Sequence, residues 1–217
     1  MMRTLPIITL FLMLMTNCLL AQSIKPDSSA SKRAFILGFD VMNASISVFS
    51  DNKLYQGYIS TQLKKHTDIV ADLGYAQNTY EKNGYDASTN GFFIKAGAQY
   101  MLIKDYENPF NGFYIGGKAS ASFYQQEYRK IPIRGLNSGD SFVTYPQSSQ
   151  SSYWLEAVAG GRVQLFNSRF LIDVQVQPRY LLYSTKQEGI KPMIISGFGR
   201  ASSNFNMGFS WSIAYQF

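Results

Sequence analysis

Residues 205–217 read Phe-Asn-Met-Gly-Phe-Ser-Trp-Ser-Ile-Ala-Tyr-Gln-Phe, and the spacing within this stretch decides the fold. Phe205, Met207, Phe209, Trp211, Ile213, Tyr215 and Phe217 occupy every second position. Asn206, Gly208, Ser210, Ser212, Ala214 and Gln216 fill the places between. Successive side chains of a β-strand point to opposite faces, so this period of two makes one face apolar and the other small or polar. A tilted strand crosses the hydrocarbon core of a bilayer in about 9–11 residues. The segment is long enough to do so.

Working back from the C-terminus, the same alternation recurs seven times, over residues 34–48, 54–63, 67–78, 91–102, 113–124, 152–165 and 169–182. Its apolar faces include Phe35, Leu37 and Phe39 in the first segment, Phe92, Ile94 and Ala96 in the fourth, and Phe170, Ile172 and Val174 in the seventh. The first segment loses its alternation after Asn43. No segment after residue 32 carries the 3.6-residue period of an amphipathic helix. Eight such strands predict an all-β fold, an antiparallel up-and-down transmembrane barrel.

Loop lengths test this independently, because barrels of outer membranes alternate short periplasmic turns with longer external loops. With a periplasmic N-terminus, the turns are 64–66, 103–112 and 166–168, and the external connections are 49–53, 79–90, 125–151 and 183–203. Three of the four external connections exceed every turn. Aromatic residues band as two girdles would: Phe35, Tyr100, Phe113, Phe170, Tyr215 and Phe217 at one end, and Tyr75, Phe92, Phe123, Tyr153, Tyr180 and Phe205 at the other. The competing reading is a soluble periplasmic lipocalin-like barrel, whose apolar face would point inward.

The composition agrees. The chain is 46% hydrophobic and 15% aromatic but only 16% charged, and a mean hydropathy of −0.12 is what alternating faces average to. Residues 1–21 read as a signal peptide, with Arg3 as its basic end, Leu5 to Leu20 as its apolar run and Ala21 at the cleavage site. A polar spacer, 22–33, follows, and the barrel covers 34–217. Cleavage removes Cys18, the one cysteine, so neither a disulfide framework nor thiolate chemistry is expected. The net charge of +6 is not gathered into basic runs, and together with export this excludes nucleic acid as a partner.

The inward face is expected to carry Asp40, Asp72, Lys95, Lys118, Glu156, Arg162, Asp173 and Arg179. Eight strands enclose only enough space for their own side chains, and buried charges must be paired. These eight residues are therefore expected to form a salt-bridged plug; the alternative is a small-solute or ion pathway. No enzyme is expected. The single histidine, His66, falls in the first turn beside Lys64 and Lys65, and Glu127 and Asp140 show no spacing that makes a catalytic pair. No metal-ligand cluster or phosphate-binding loop is present to imply a cofactor. In the third external connection, Arg129, Lys130 and Arg134 are suited to phosphates of lipopolysaccharide or to an external protein.

The leader ending in Ala-Gln, the absence of cysteine after it and the aromatic last strand resemble small outer-membrane β-barrel proteins of the Bacteroidota type. In architecture the chain is similar to the eight-stranded OmpA/OmpX-like barrels. The resemblance covers about 34–217. It implies residence in the bacterial outer membrane, and recognition of Phe209, Trp211, Ile213, Tyr215 and Phe217 by the barrel-assembly machinery. It also implies a structural, adhesive or accessory role in the envelope, among lipids, lipopolysaccharide and a partner protein of an envelope or secretion complex.

Overall fold

The computed structural model describes residues 35–64, 66–104, 111–133, 141–166, 168–187 and 189–217. The expected signal peptide and spacer, and Arg134, lie outside the described residues. The strands are β1 (Phe35–Asp40), β2 (Lys53–Lys64), β3 (Thr67–Lys82), β4 (Tyr85–Lys104), β5 (Gly112–Ile133), β6 (Ser141–Gln164), β7 (Phe170–Ser184) and β10 (Phe205–Gln216), with a two-residue pair, β8 (Ile194–Ile195) and β9 (Gly199–Arg200), between the last two. The strands pair antiparallel around the ring β1-β10-β7-β6-β5-β4-β3-β2, in which β1 pairs with β2 on one side and with β10 on the other, the latter closing the barrel. The fold is the eight-stranded up-and-down barrel that the alternation predicts. At the closure Phe217 N donates to Phe35 O at 2.8 Å.

The two faces of the wall differ sharply. Leu37, Leu73, Ile94, Ile115, Leu155, Val174 and Trp211 stand exposed on the outside, whereas Asp72, Lys95, Lys118, Glu156, Arg162 and Asp173 are buried within. Inward glycines sit beneath large inward rings: a Cβ at Gly38 would fall 2.2 Å from the Tyr58 ring, one at Gly74 2.2 Å from Phe93, and one at Gly160 2.5 Å from Tyr114. Pairing small with large residues in this way fills the narrow lumen.

Phe35 and Phe217 lie at what we term the terminal end, together with the ends at which β2 meets β3, β4 meets β5 and β6 meets β7. The other end is the loop end. There β4, β5 and β6 reach 20, 22 and 24 residues, about twice the 9–11 that a membrane crossing requires. The expected loop 79–90 is instead a continuous hairpin, in which Thr79 pairs with Ser88 and Lys82 with Tyr85. Asn83 (φ 55°) and Gly84 (φ 82°) form its tip. Two left-handed residues give a tight turn whose twist matches that of the flanking strands, and Asn-Gly is the dipeptide most suited to it. The ladder between β5 and β6 likewise extends to Ile133 and Ser141, so most of the expected third loop is wall.

The first strand departs from expectation. It ends at Asp40, and Val41–Phe49 form a helix, α1, rather than continuing to residue 48. Asp40 Oδ1 accepts from Asn43 N at 3.1 Å, the bond by which a helix N-cap satisfies an orphan amide. Beyond Asp40, among the described residues, no strand pairs with the β1-facing edge of β10, and α1 packs between β10 and β2 in its place. Side chains cover the exposed edges. Asn43 Nδ2 donates to Phe209 O at 3.0 Å, and Ser47 Oγ accepts from Leu54 N at 2.7 Å while donating to Asn43 O at 2.7 Å. A helix satisfies its own backbone, so it can patch a barrel wall that a loop could not.

Candidate functional site: an ion-paired lumen under an inserted loop

From the terminal end upward, the lumen begins with Ile36, Tyr58, Val70, Leu171 and Ala214 in apolar contact. Above them Arg162 Nε meets Asp173 Oδ2 at 3.1 Å, and its Nη1 lies 3.7 Å from Asp68 Oδ2. Asp173 also accepts from Tyr58 OH at 2.7 Å and from Tyr114 OH. Arg162 Nη2 donates to Gln99 Oε1 at 3.3 Å, and the guanidinium lies 5.3 Å from the centre of the Tyr114 ring.

The next layer holds two further clusters. Lys118 Nζ pairs with Asp72 Oδ2 at 2.6 Å, and Gln56 Nε2 donates to the same oxygen at 3.0 Å. Glu156 Oε1 receives Lys95 Nζ at 2.9 Å, Arg179 Nε at 3.0 Å and Trp154 Nε1 at 2.8 Å. Four acids thus face four bases in three buried clusters. Paired and hydrogen-bonded in this way, the charges avoid the several kcal/mol per ion that unmatched burial costs.

Seven of the eight inward charges expected from the alternation are brought together here. Asp40 is not among them: although buried, it caps α1, with Oδ2 accepting from Asn43 Nδ2 at 2.6 Å. Its place in the balance is taken by Asp68, which sequence reasoning missed. Asp68 has the same parity on β3 as Asp72 and could have been found by extending that face to the start of the strand.

The loop end is closed by a segment not foreseen as part of the lumen. Within 183–203, expected as an external loop, residues 195–198 fold into the mouth. Phe198 is fully buried among Ala76, Phe93, Tyr124, Trp154, Leu181 and Ile195, with its ring 5.7 Å from Trp154 at 70°. Arg179 Nη1 donates to Gly197 O at 3.0 Å and to Phe198 O at 3.1 Å. Asn206 Nδ2 donates to Phe198 O at 2.8 Å, and Ser196 Oγ to Ala76 O at 3.3 Å. Gly197 has φ +81° and lies so close to Phe93 that an added Cβ would sit 2.3 Å from the ring. Only glycine combines that backbone with that approach. Arg179 therefore links the inserted loop to Glu156 and the ion pairs below.

The hairpin beyond the mouth carries the other candidate residues. Arg129 Nη2 pairs with Asp86 Oδ1 at 2.9 Å in a partly exposed bridge, and Lys130 Nζ lies 5.5 Å from the centre of the Phe142 ring. Tyr128, buried beside them, donates its hydroxyl to Lys191 O at 3.0 Å; burial pushes that phenol up to about 12, so it stays a donor. On β10 the residues Phe209, Trp211 and Ile213 are exposed on the outward face, with Tyr215 half-buried on the same face and Phe217 exposed just beyond the strand. The rings of Phe170, Tyr215 and Phe217 meet edge to face in sequence, with centres 5.2 and 4.9 Å apart. His66 lies at the terminal end, 5.9 Å from Tyr100 between ring centres.

Among solved structures, the chain is similar to the N-terminal β-barrel domain of Pseudomonas aeruginosa OprF, with 14% identity, 85% of this chain and 97% of that one covered, and a TM-score of 0.37. It is also similar to the β domain of the Bordetella autotransporter BrkA, with 12% identity, coverage of 85% and 79%, and a TM-score of 0.37. No curated protein matches the sequence. A family model described as a domain of unknown function, DUF6048, matches residues 1–217, and the chain belongs to that family.

Proposed function

We propose that this chain is a bacterial outer-membrane barrel with a sealed lumen, a non-enzymatic component of the envelope that acts through its loop end. The observation that carries this reading is the inverted polarity of the wall: large apolar side chains of the eight barrel strands face out, and Asp68, Asp72, Lys95, Lys118, Glu156, Arg162, Asp173 and Arg179 are buried within. A soluble lipocalin-like barrel would bury those apolar faces, because exposed apolar patches of this extent are rare on soluble monomers. Closure of the ring removes the open edge that hydrocarbon cannot tolerate. The ion-paired layers and the inserted loop leave the lumen filled, which supports an accessory or adhesive role over that of a small-solute or ion channel.

The partners this reading implies are outer-membrane lipids and lipopolysaccharide around the wall, and the barrel-assembly machinery at the outward face of β10. An envelope or secretion-complex protein would meet the projecting β5–β6 hairpin, near Arg129 and Lys130. The test is reconstitution of the purified chain. A folded form that migrates differently before and after boiling, and that inserts into planar bilayers without steady current, is expected. Steady ohmic conductance would replace this reading with the channel. A chain that stays soluble without detergent would replace it with the lipocalin-like barrel.

A further inference from the structure

Two rows of side chains cross the outer wall at the loop-end boundary. In the strand register Tyr75 stands opposite Phe92, Phe92 opposite Phe123, and Phe123 opposite Ser151. Two positions further up, Gln77 stands opposite Asn90, Asn90 opposite Gln125, and Gln125 opposite Ser149. An aromatic row is thus roofed by a row of amides and a hydroxyl. Between them lies an open cleft of about 610 Å³, within the range of about 300–1,000 Å³ typical of small-ligand sites. Phe92 and Phe123 expose 63% and 57% of their surface there, and the Tyr75 and Phe92 rings are 5.1 Å apart.

The lining contains aromatic faces, amides, hydroxyls and bare backbone at Gly91, and none of its residues is ionisable at neutral pH. Amides both donate and accept, as sugar hydroxyls do, and flat rings suit the C–H face of a pyranose. The lining itself holds no cation; Lys53 stands opposite Gln77, beyond the lining, and Glu127, two positions above Gln125 on the same face, would repel a phosphate. Directly below the aromatic row, Leu73, Ile94 and Ala121 form an apolar wall in register along which acyl chains can lie.

We propose that this cleft binds the uncharged sugar headgroup of an outer-leaflet glycolipid, with its acyl chains against Leu73 and Ile94. The site rests on the membrane reading above. It differs from a phosphate contact at Arg129 and Lys130 in both place and chemistry.

The test is native mass spectrometry of the folded barrel in detergent, offered an equimolar mixture of monogalactosyl diacylglycerol and phosphatidylglycerol with the same acyl chains. Heat-modifiable migration of each sample is recorded first, so that failure of the membrane reading is seen separately. The wild-type chain should retain the galactolipid in several-fold excess. Loss of one neutral hydrogen bond weakens binding about fivefold, so Asn90→Leu with Gln125→Leu should bring the two lipids to near parity. Because these positions are exposed, the folded band should be unchanged. Arg129→Ala with Lys130→Ala should leave the preference intact. Equal retention by the wild type, or an excess that survives loss of both amides, would overturn the proposal. So would full displacement by free galactose at the same concentration, which would make the occupant a soluble sugar.

Discussion

Replacing Phe198 with alanine separates the two seals of the lumen. The ring is wholly buried in the mouth against Trp154 and Phe93, and truncating a buried Phe to Ala costs about 3–5 kcal/mol. The loop would keep its polar anchors from Arg179, Asn206 and Ser196, each contributing about 1 kcal/mol. Loss of about 3 kcal/mol from docking shifts the balance between inserted and released loop on the order of a hundredfold. Trp154 reports the outcome. The chain has two tryptophans, and the other, Trp211, faces outward, so a Trp211→Phe background leaves one fluorophore beneath the inserted loop. In that background Phe198→Ala should raise acrylamide quenching of Trp154 severalfold and red-shift its emission. Planar bilayers should still show no steady current, because Lys95, Glu156 and Arg179 close the layer below. Unchanged quenching would refute the inserted-loop seal. A steady current on loss of Phe198 alone would refute the ion-paired seal.

Glu156→Gln leaves Lys95 and Arg179 facing a neutral amide, and breaking a buried pair costs about 3–5 kcal/mol; a lower urea midpoint for loss of the unboiled folded band checks this, and an unshifted midpoint counts against the cluster. Gly197→Ala combines a left-handed backbone with a Cβ 2.3 Å from Phe93, so it should release the loop and mimic Phe198→Ala in quenching, whereas Gly189→Ala, which carries the same left-handed backbone (φ +82°) but open space around its Cβ, should keep the loop inserted. Ser47→Ala orphans the Leu54 amide at a cost of about 1–3 kcal/mol, seen as faster hydrogen exchange at Leu54 but not at Ile59, where β1 still pairs. Arg129→Ala removes a partly exposed bridge and should move stability by no more than about 1 kcal/mol.

The barrel was legible because its determinant is local. Parity of side chains along a strand needs no knowledge of the neighbouring strand, and it located the outward faces and seven of the eight lumen charges. Three features were not legible, each for a physical reason. The switch from β1 to α1 turns on one cap, Asp40 with Asn43, that competes with an alternation already fading at that point. The long β3–β4 hairpin depends on Asn83 and Gly84 adopting left-handed backbone, a turn signal outweighed by the polarity of residues 79–90. The inserted loop is set by tertiary contacts between Phe198 and rings from β4, β5 and β6, which no pattern within 183–203 announces. Asp68 was missed more simply, at the first turn of a face whose parity Asp72 had already defined.

The inverted wall is tested most directly by spin labels placed two turns of the pleat apart on β3, at Leu73 and Gln77, in a Cys18→Ser chain reconstituted into phospholipid bilayers. Both side chains are exposed and face outward, on either side of the aromatic row at Tyr75. Leu73 should be open to molecular oxygen and closed to a water-soluble nickel chelate, and Gln77 should show the reverse. A Leu73 label reached freely by the chelate would contradict a membrane-spanning barrel with its apolar face in lipid.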